Sequence, residues 1–385
     1  MRGARMPDKR LEKRLMRILS DLTHHSDESI PAACQGWAET KGVYRFCDNP
    51  RVDMEDILSG HKSATIERIS QQPMVLIAQD TTFLNFAKEE AAGVGTLKRT
   101  QSENYLLHPS VAFTPMRDNL GVLGGKFWQR PEEKVAHLRT QKPIEEKESY
   151  RWLESYELAC KVQRQCPDTL ILSVADREGD IHERFQLMQS KPAKERADIL
   201  VRAKCNRRTQ ADTDDDEHSY LWDELVSAQC AGQIEVKTPR SGNKPSRLAQ
   251  LDVSYKEVEF CGKQGKHIQA VFMYAVYAKE TNPPEGEEAI EWMLLTSIPV
   301  ESLGVAHAVI GWYCARWEIE IYFRILKQGC QVEELRLETD KRLLNCISVY
   351  MIIAWRIQTI TMQSREHPDM PCDVIFSERE WKRFI

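Results

Sequence analysis

Four residues with charged or phenolic side chains occur at helical spacing late in the chain, and they are Tyr313, Arg316, Glu320 and Lys327. On a helix that turns by about 100° per residue they fall at about 0°, −60°, −20° and −40°, on one stripe. The stripe would be about 21 Å long, enough to follow several phosphates of a nucleic-acid strand. A carboxylate among phosphate-binding donors predicts a metal-dependent enzyme that acts on a phosphate backbone. The alternative is an amphipathic surface helix whose charges are only solvated.

Two aspartates follow apolar runs of the kind that form buried strands. Residues 74–78 are continuously apolar and precede Asp80, and residues 170–175 are largely apolar and precede Asp176. Two-metal phosphoryl transfer needs several carboxylates, delivered by different elements, around ions about 4 Å apart. Together with Glu320, the two aspartates are the candidate catalytic and metal-binding residues. For either aspartate alone, a turn former or helix N-cap is the competing interpretation.

The arrangement Tyr-x2-Arg-x3-Glu-x6-Lys over residues 313–327 resembles the signature of bacterial cut-and-paste DDE transposases of the IS-four or Tn-five group. The contexts of Asp80 and Asp176 are similar to the first and second catalytic motifs of that family. Within the second motif Asp176 best matches the metal ligand, while Glu178 and Asp180 are interpreted as supporting or capping groups. The similarity covers nearly the whole chain, with further landmarks at residues 29–37, 44–50, 146–149 and 282–297.

The resemblance implies an α/β fold with a ribonuclease-H-like catalytic core that carries a β-rich insertion, preceded by a small helical DNA-binding domain. It implies that Asp80, Asp176 and Glu320 bind two Mg²⁺ ions, for which Mn²⁺ can substitute. The implied reaction is cleavage of transposon ends through a hairpin intermediate, then strand transfer into target DNA. The implied partners are double-stranded DNA and a second copy of the chain or a full-length transposase. The implied location is the bacterial cytoplasm, at the nucleoid when bound to DNA.

The predicted domains follow changes in sequence pattern. Residues 1–70 are predicted to form the DNA-binding domain, and residues 71–370 the catalytic domain with the insertion at about 205–298. Residues 371–385 are assigned to the start of a C-terminal domain. Related transposases continue further there into helices that join two subunits, so this chain is expected to lack most of the dimerisation domain.

The predicted secondary structure is helical at first and then mixed. Helices are expected at residues 9–23, 30–40, 54–70, 145–163 and 341–362. Strands are expected at residues 74–78, 106–113, 120–128, 170–175, 199–203, 248–260, 266–278 and 290–296.

Three groups of residues are candidates for DNA contact. Tyr313, Arg316 and Lys327 of the stripe are predicted to grip phosphates of the transposon end. In similar transposases a tryptophan in the context of Trp292 stacks on a flipped base, although a core tryptophan is the ordinary expectation. The basic candidates are Arg202, Lys204, Arg207 and Arg208 after a core strand, and Lys9, Arg10, Lys13 and Arg14 on an amphipathic helix.

The composition of the 385-residue chain sets few limits. A net charge of −5 argues weakly against DNA binding, so the local basic segments matter more than the sum. Eleven cysteines without paired spacing predict reduced thiols, and neither a signal peptide nor a stretch of transmembrane length is expected. A non-catalytic DNA-binding regulator of transposition and a metal-dependent nuclease without joining activity are the alternative functions.

Overall fold

The structure is a computed structural model that describes residues 6–34, 36–86, 104–130, 143–209, 219–238, 246–260 and 270–374. The end of the predicted C-terminal segment, residues 375–385, lies outside the described residues. So do residues 266–269, the beginning of one predicted strand.

The chain begins with helices, and strands and helices are mixed from residue 74 onward. The helices are α1 (Lys9–His24), α2 (Ile30–Ala33), α3 (Trp37–Cys47), α4 (Met54–Ile69), α5 (Arg151–Gln165), α6 (His182–Gln189), α7 (Leu221–Ser227), α8 (Leu303–Ala315), α9 (Glu318–Arg324) and α10 (Asp340–Glu366). The strands are β1 (Met74–Gln79), β2 (Thr82–Asn85), β3 (Asn104–Phe113), β4 (Asn119–Trp128), β5 (Leu170–Ala175), β6 (Asp198–Arg202), β7 (Arg208–Thr209), β8 (Ser219–Tyr220), β9 (Gly232–Thr238), β10 (Arg247–Phe260), β11 (Val271–Glu280) and β12 (Glu291–Thr296). The prediction of a mixed α/β fold is confirmed, and the structure adds that the sheet is large and mixed.

The chain divides into two compact units. One comprises Met1–Ile69, Thr81–Glu132 and Glu318–Ile385, and the other comprises Ser70–Asp80 and Glu133–Trp317. We call them the helical unit and the sheet unit.

The sheet unit is built on parallel strands that are extended by antiparallel ones. β1 pairs in parallel with β5, and β5 pairs in parallel with β6. β12 then pairs antiparallel with β6, and β11, β10 and β9 follow in antiparallel order. β1, β5 and β6 have almost wholly buried apolar side chains, as expected for strands covered on both faces. The strands in the region of the predicted insertion therefore continue the sheet that begins with β1.

The helical unit joins α1–α4, α9 and α10 with a three-stranded antiparallel ladder of β2, β3 and β4. α1 begins after Asp8, whose carboxylate accepts hydrogen bonds from the amides of Arg10 and Leu11. The buried residues of α1 recur at helical spacing and form one apolar face. α10 packs on α4 and on β4.

Most predicted elements agree with the structure to within a few residues, and two differ. The helix predicted over residues 30–40 is two helices, because α2 ends at Ala33 and α3 begins again after the extended Gly36. The first part of the helix predicted over residues 145–163 consists of short 3₁₀ turns, and α5 begins only at Arg151.

The expectation that no stretch reaches transmembrane length does not hold for α10. Its 27 residues are long and apolar enough to cross a membrane by length and composition. However, 67% of the apolar 18-residue stretch within α10 is buried inside the protein. A helix that forms part of a hydrophobic core has the same composition, so this is weak support for a membrane span.

A buried histidine links α4 to β4. His61 is 1% exposed, its Nε2 accepts the amide of Val122 at 2.9 Å, and its ring meets that of Trp355 edge-on at 4.6 Å. Burial lowers the pKa of His61 from 6.5 to about 3. The imidazole therefore stays neutral in the folded protein at pH values where the unfolded chain is protonated.

We expect the lowered pKa of His61 to make the unfolding free energy of the protein fall at acidic pH. Because the pKa is lower in the folded state, the stabilisation is complete above pH 6.5 and is lost as the pH falls toward 3. Between pH 7 and pH 5 the wild type should lose about 2 kcal/mol more unfolding free energy than His61→Gln, measured by urea denaturation. Equal losses in the two proteins would show that His61 does not carry the effect.

Candidate active site

Asp80 and Asp176 stand at the ends of neighbouring strands in the sheet unit. β1 and β5 are paired in register, with Gln79 opposite Ala175, and each aspartate is the next residue. Adjacent strands are about 4.8 Å apart, so the two carboxylates start from neighbouring positions at one edge of the sheet. The structure thus brings together two of the three predicted catalytic residues.

Arg316 forms an ion pair with Asp80. Its Nη1 donates to Oδ2 of Asp80 at 2.9 Å, and the side chains are 5% and 18% exposed. The guanidinium also lies 5.8 Å from the ring centre of Tyr313 and 5.3 Å from that of Trp317. A charge pair this far from solvent depends strongly on its geometry, because both groups have lost water.

The prediction of one continuous helix across residues 313–327 is wrong. α8 ends at Ala315, and the amides of Arg316 and Trp317 bond to carbonyls three residues back, at 3.2 Å each. α9 then runs only to Arg324 and is followed by a π-helical turn over Ile325–Gly329. The four residues of the predicted stripe therefore do not share one helical phase, and Arg316 lies on a tightened turn.

Tyr313 contacts Arg316 and Trp292 of β12. Its ring is buried and meets that of Trp292 edge-on at 5.7 Å. Burial raises the pKa of Tyr313, an effect that Arg316 and Arg202 oppose and Asp176 reinforces. Arg202 itself is half-buried, donates to the carbonyl of Glu291 at 2.9 Å, and has its pKa lowered by burial. Tyr313 is thus a neutral phenol among cations near Asp176.

The turn after β5 is fixed by its own carboxylates. Oδ1 of Asp176 accepts the amide of Glu178 at 2.8 Å, and Arg151 donates to the carboxylate of Glu178 at 2.5 Å. The side chain of Asp180 is fully buried, pairs with Arg207 and accepts the amide of Lys204 at 2.7 Å. Asp180 is therefore committed to the fold through Arg207 and the amides of Lys204 and Cys205, and it does not cap α6, whose N-cap is Ile181.

The basic segment after β6 divides into buried and exposed members. Arg207 is paired with Asp180 and lies over the rings of Phe185 and Phe260, so its guanidinium is committed to the fold. The side chain of Lys204 is exposed, and that of Arg208 is half-exposed. Lys204 and Arg208 are better placed for phosphate contact than Arg207.

Glu320 and Lys327 belong to the helical unit. Glu320 is half-buried in α9. Lys327 lies in the π-helical turn, with its Nζ 3.9 Å from a carboxylate oxygen of Glu333. The same oxygen accepts the amide of Asn85 at 2.8 Å.

The basic residues of α1 are also not equivalent. Lys9, Arg10 and Lys13 are exposed, whereas Arg14 is half-buried. A Cβ on Gly42 of α3 would lie only 2.3 Å from Nη1 of Arg14. Arg14 therefore packs on α3, and the other three cations form the exposed basic face of α1.

Carboxylate oxygens at adjacent strand ends suit a hard divalent cation such as Mg²⁺. Within the part of the chain that the structure describes, no three histidine, cysteine, aspartate or glutamate side chains form a metal-holding group. Mg²⁺ is commonly held by one or two carboxylates and completed by water and substrate phosphates. Asp80 and Asp176 fit that mode of binding.

The sequence did not single out Arg184, which lies close behind these strand ends. Arg184 follows Asp180 by four residues, so the sequence alone suggests an ion pair between these two side chains on one face of a helix. In the structure Asp180 pairs with Arg207 instead, and Arg184 turns into the core toward Gln79 and Ser173.

We expect Asp180→Ala to destabilise the protein by about 3–5 kcal/mol, because it leaves Arg207 buried without its partner. Urea denaturation measures this loss, and Asp168→Ala, an exposed aspartate, should change stability by less than about 0.5 kcal/mol. The double variant Asp180→Ala/Arg207→Met should recover part of the loss, since the unpaired charge is gone. A single variant as stable as the wild type would contradict the assignment.

Comparison with known proteins gives two family matches. Residues 1–52 match the family described as transposase DNA-binding, and residues 164–355 match the transposase DDE domain. Asp176 and Glu320 lie inside the second match, while Asp80 lies outside both.

A solved structure also aligns with the chain, namely the cryo-EM structure of the piggyBac transposase synaptic complex with hairpin DNA. The alignment has 9% sequence identity and a TM-score of 0.39, and it covers 92% of this chain and 66% of that chain. This chain thus spans just under two thirds of the length of that transposase. The family matches show that the chain carries a transposase DDE domain, preceded by a transposase DNA-binding region.

Proposed function

We propose that this protein is a cut-and-paste DNA transposase that cleaves the ends of its element and transfers them into target DNA. The observation that carries the proposal is the pair Asp80 and Asp176 on in-register parallel strands, with Arg316, Tyr313 and Arg202 around them. Carboxylates beside phosphate-binding cations are the groups that metal-dependent phosphodiester chemistry requires. The ribonuclease-H-like core and its domain boundaries at residues 71–370 are part of this proposal.

In this proposal Asp80, Asp176 and Glu320 hold divalent metal, with Mg²⁺ as the first candidate and Mn²⁺ as a substitute. The bound metal would supply Lewis-acid activation of the attacking oxygen and charge stabilisation at the leaving oxygen. Before DNA binds, Arg316 neutralises Asp80 across 2.9 Å. A DNA phosphate at the same place would compete for the guanidinium and release the carboxylate, so Arg316 would both bind DNA and control access to Asp80.

The remaining contacts are assigned by exposure and charge. Lys204, Arg208 and Lys327 would bind backbone phosphates, and Trp292 would offer a ring for base stacking beside Tyr313. The exposed cations of α1 would recognise the transposon end. A second copy of the chain, or a full-length transposase, would bring the second end into the complex.

The catalytic assignment is tested with the three conservative variants Asp80→Asn, Asp176→Asn and Glu320→Gln. Each should lower the rate of nicking of DNA that carries the element's ends, with Mg²⁺, by more than about a hundredfold. Even supporting partners of metal ligands typically contribute 10–100-fold. Asp168→Asn, an exposed aspartate outside the site, is the control and should cut at the wild-type rate.

Wild-type rates in the three variants would overturn the catalytic assignment. Strand transfer from precut ends separates the alternatives in the same experiment. Joined products support a transposase, cutting without joining indicates a nuclease, and binding without either indicates a regulator.

The role of α1 is tested by replacing Lys9, Arg10 and Lys13 with glutamine. Each lost phosphate contact should reduce the slope of log Kd against log salt concentration by about 0.9, with affinity falling for all end sequences. Binding is measured by fluorescence anisotropy across salt concentrations. The control variant replaces the exposed Lys161 and Arg164 of α5 with glutamine. An unchanged slope in the α1 variant would move recognition to another surface.

A further inference from the structure

Arg184 is a charged side chain that is buried in the core. It is 0% exposed, and its guanidinium lies 5.9 Å from the ring centre of Trp152 and 5.9 Å from that of Tyr156. Burial lowers its pKa to about 10, so it remains a cation at neutral pH. Burying an ion costs several kcal/mol, and a packed apolar side chain is often at least as stabilising. The fold alone therefore does not account for an arginine here.

The groups that accept hydrogen bonds from Arg184 are all neutral within the described part of the chain. Nη2 donates to Oγ of Ser173 at 2.9 Å and reaches Oε1 of Gln79 at 3.5 Å, while Nη1 donates to the carbonyl of Gly179 at 3.2 Å. Oγ of Ser173 also donates to Oε1 of Gln79 at 3.2 Å. The guanidinium is thus not neutralised by a hydrogen-bonded carboxylate.

The three acceptors belong to the elements that carry the two aspartates. Gln79 is the residue before Asp80 at the end of β1, and Ser173 lies in β5. Gly179 lies in the 3₁₀ turn that Asp176 begins. One planar guanidinium therefore joins both strand ends and the turn between Asp176 and α6, which a single lysine ammonium cannot do with the same fixed geometry.

The turn lies directly on this guanidinium. A Cβ on Gly179 would come within 2.8 Å of Nη1 of Arg184 and within 2.4 Å of Cβ of Ala175. Glycine is thus required by space at this position, and the turn rests on the arginine and on the end of β5.

We infer that Arg184 is a positioning residue for the carboxylate pair, holding the ends of β1 and β5 so that Asp80 and Asp176 can share a divalent metal. The inference rests on the proposed function. Arg184 affects metal affinity in two opposite ways. Its positive charge behind the carboxylates disfavours a second cation, while the strand ends that it holds in place favour metal binding. The sign of the effect on metal affinity therefore distinguishes positioning from a passive structural role.

The test is Mn²⁺ binding to the full chain, followed by the electron paramagnetic resonance signal of free Mn²⁺. Arg184→Met should fold, because an apolar side chain of similar volume is often neutral or stabilising at such a site. If Arg184 positions the carboxylates, Arg184→Met should bind Mn²⁺ about 10–100-fold more weakly. Loss of charge alone would give tighter binding, so unchanged or tighter binding overturns the inference.

Ser173→Ala is the second variant, since it removes the 2.9 Å bond and leaves the charge in place. It should weaken Mn²⁺ binding about fivefold, the effect of one lost hydrogen bond. The double variant should be no weaker than Arg184→Met alone, because both changes remove the same contact. If Arg184→Met fails to fold, Ser173→Ala decides, and wild-type affinity in it overturns the inference.

Two controls separate this inference from the proposed function. Arg164→Met, an exposed arginine of α5, should bind Mn²⁺ and cut DNA like the wild type. Asp176→Asn should abolish the Mn²⁺ site. If the wild type binds no Mn²⁺, or Asp176→Asn binds it equally, the proposed function and the inference both fail. In DNA cleavage Arg184→Met should lower kcat and leave the KM for DNA unchanged, which loss of DNA contact would not do.

Discussion

The parallel, in-register pairing of β1 with β5 is the constraint on which the site depends. It sets Gln79 opposite Ala175 and makes Asp80 and Asp176 equivalent neighbours at one sheet edge. A slip of one residue would turn one of these side chains to the opposite face of the sheet. The strands can hold this register because their side chains are buried, so a shift would also misplace most of the apolar residues of both strands.

Four arginines lie around the carboxyl ends of these strands, and they differ in the groups that accept their hydrogen bonds. Arg316 neutralises Asp80 directly, Arg151 pairs with Glu178, and Arg207 pairs with the buried Asp180. Arg184 alone among these is held by neutral acceptors. The acidic turn is thus supported by cations that fix its geometry, and Arg316 contacts the predicted catalytic carboxylate of Asp80. Under the proposed function, Arg316 is the cation whose ion pair a DNA phosphate would displace, while Arg151 and Arg207 hold the turn in place.

Local sequence pattern predicted most of the long strands and most helices because burial and amphipathicity act within a few residues. It did not predict β2, β7, β8 and β9. The strand ends at Asp80 and Asp176 follow from apolar runs in this way, and their adjacency follows from the parallel pairing of the strands that carry them. Tertiary contacts decided the rest. The turn at Arg316 interrupts a pattern that is helical by spacing, and its guanidinium pairs with Asp80, 236 residues away in the chain. Arg207 and Arg184 could not be told apart by charge pattern, because one pairs with Asp180 and the other with neutral groups in the core.

We propose that Asp80 and Asp176 together hold one divalent metal ion. Iron-mediated cleavage of the polypeptide tests it most directly, with Fe²⁺ replacing Mg²⁺ and generating hydroxyl radicals in the presence of ascorbate and peroxide. If these two residues hold the metal, backbone cuts should occur near residues 80 and 176, should be competed by excess Mg²⁺ and should be absent in Asp176→Asn. Cuts confined to other parts of the chain, or unchanged in that variant, would show that the metal does not bind at these two aspartates.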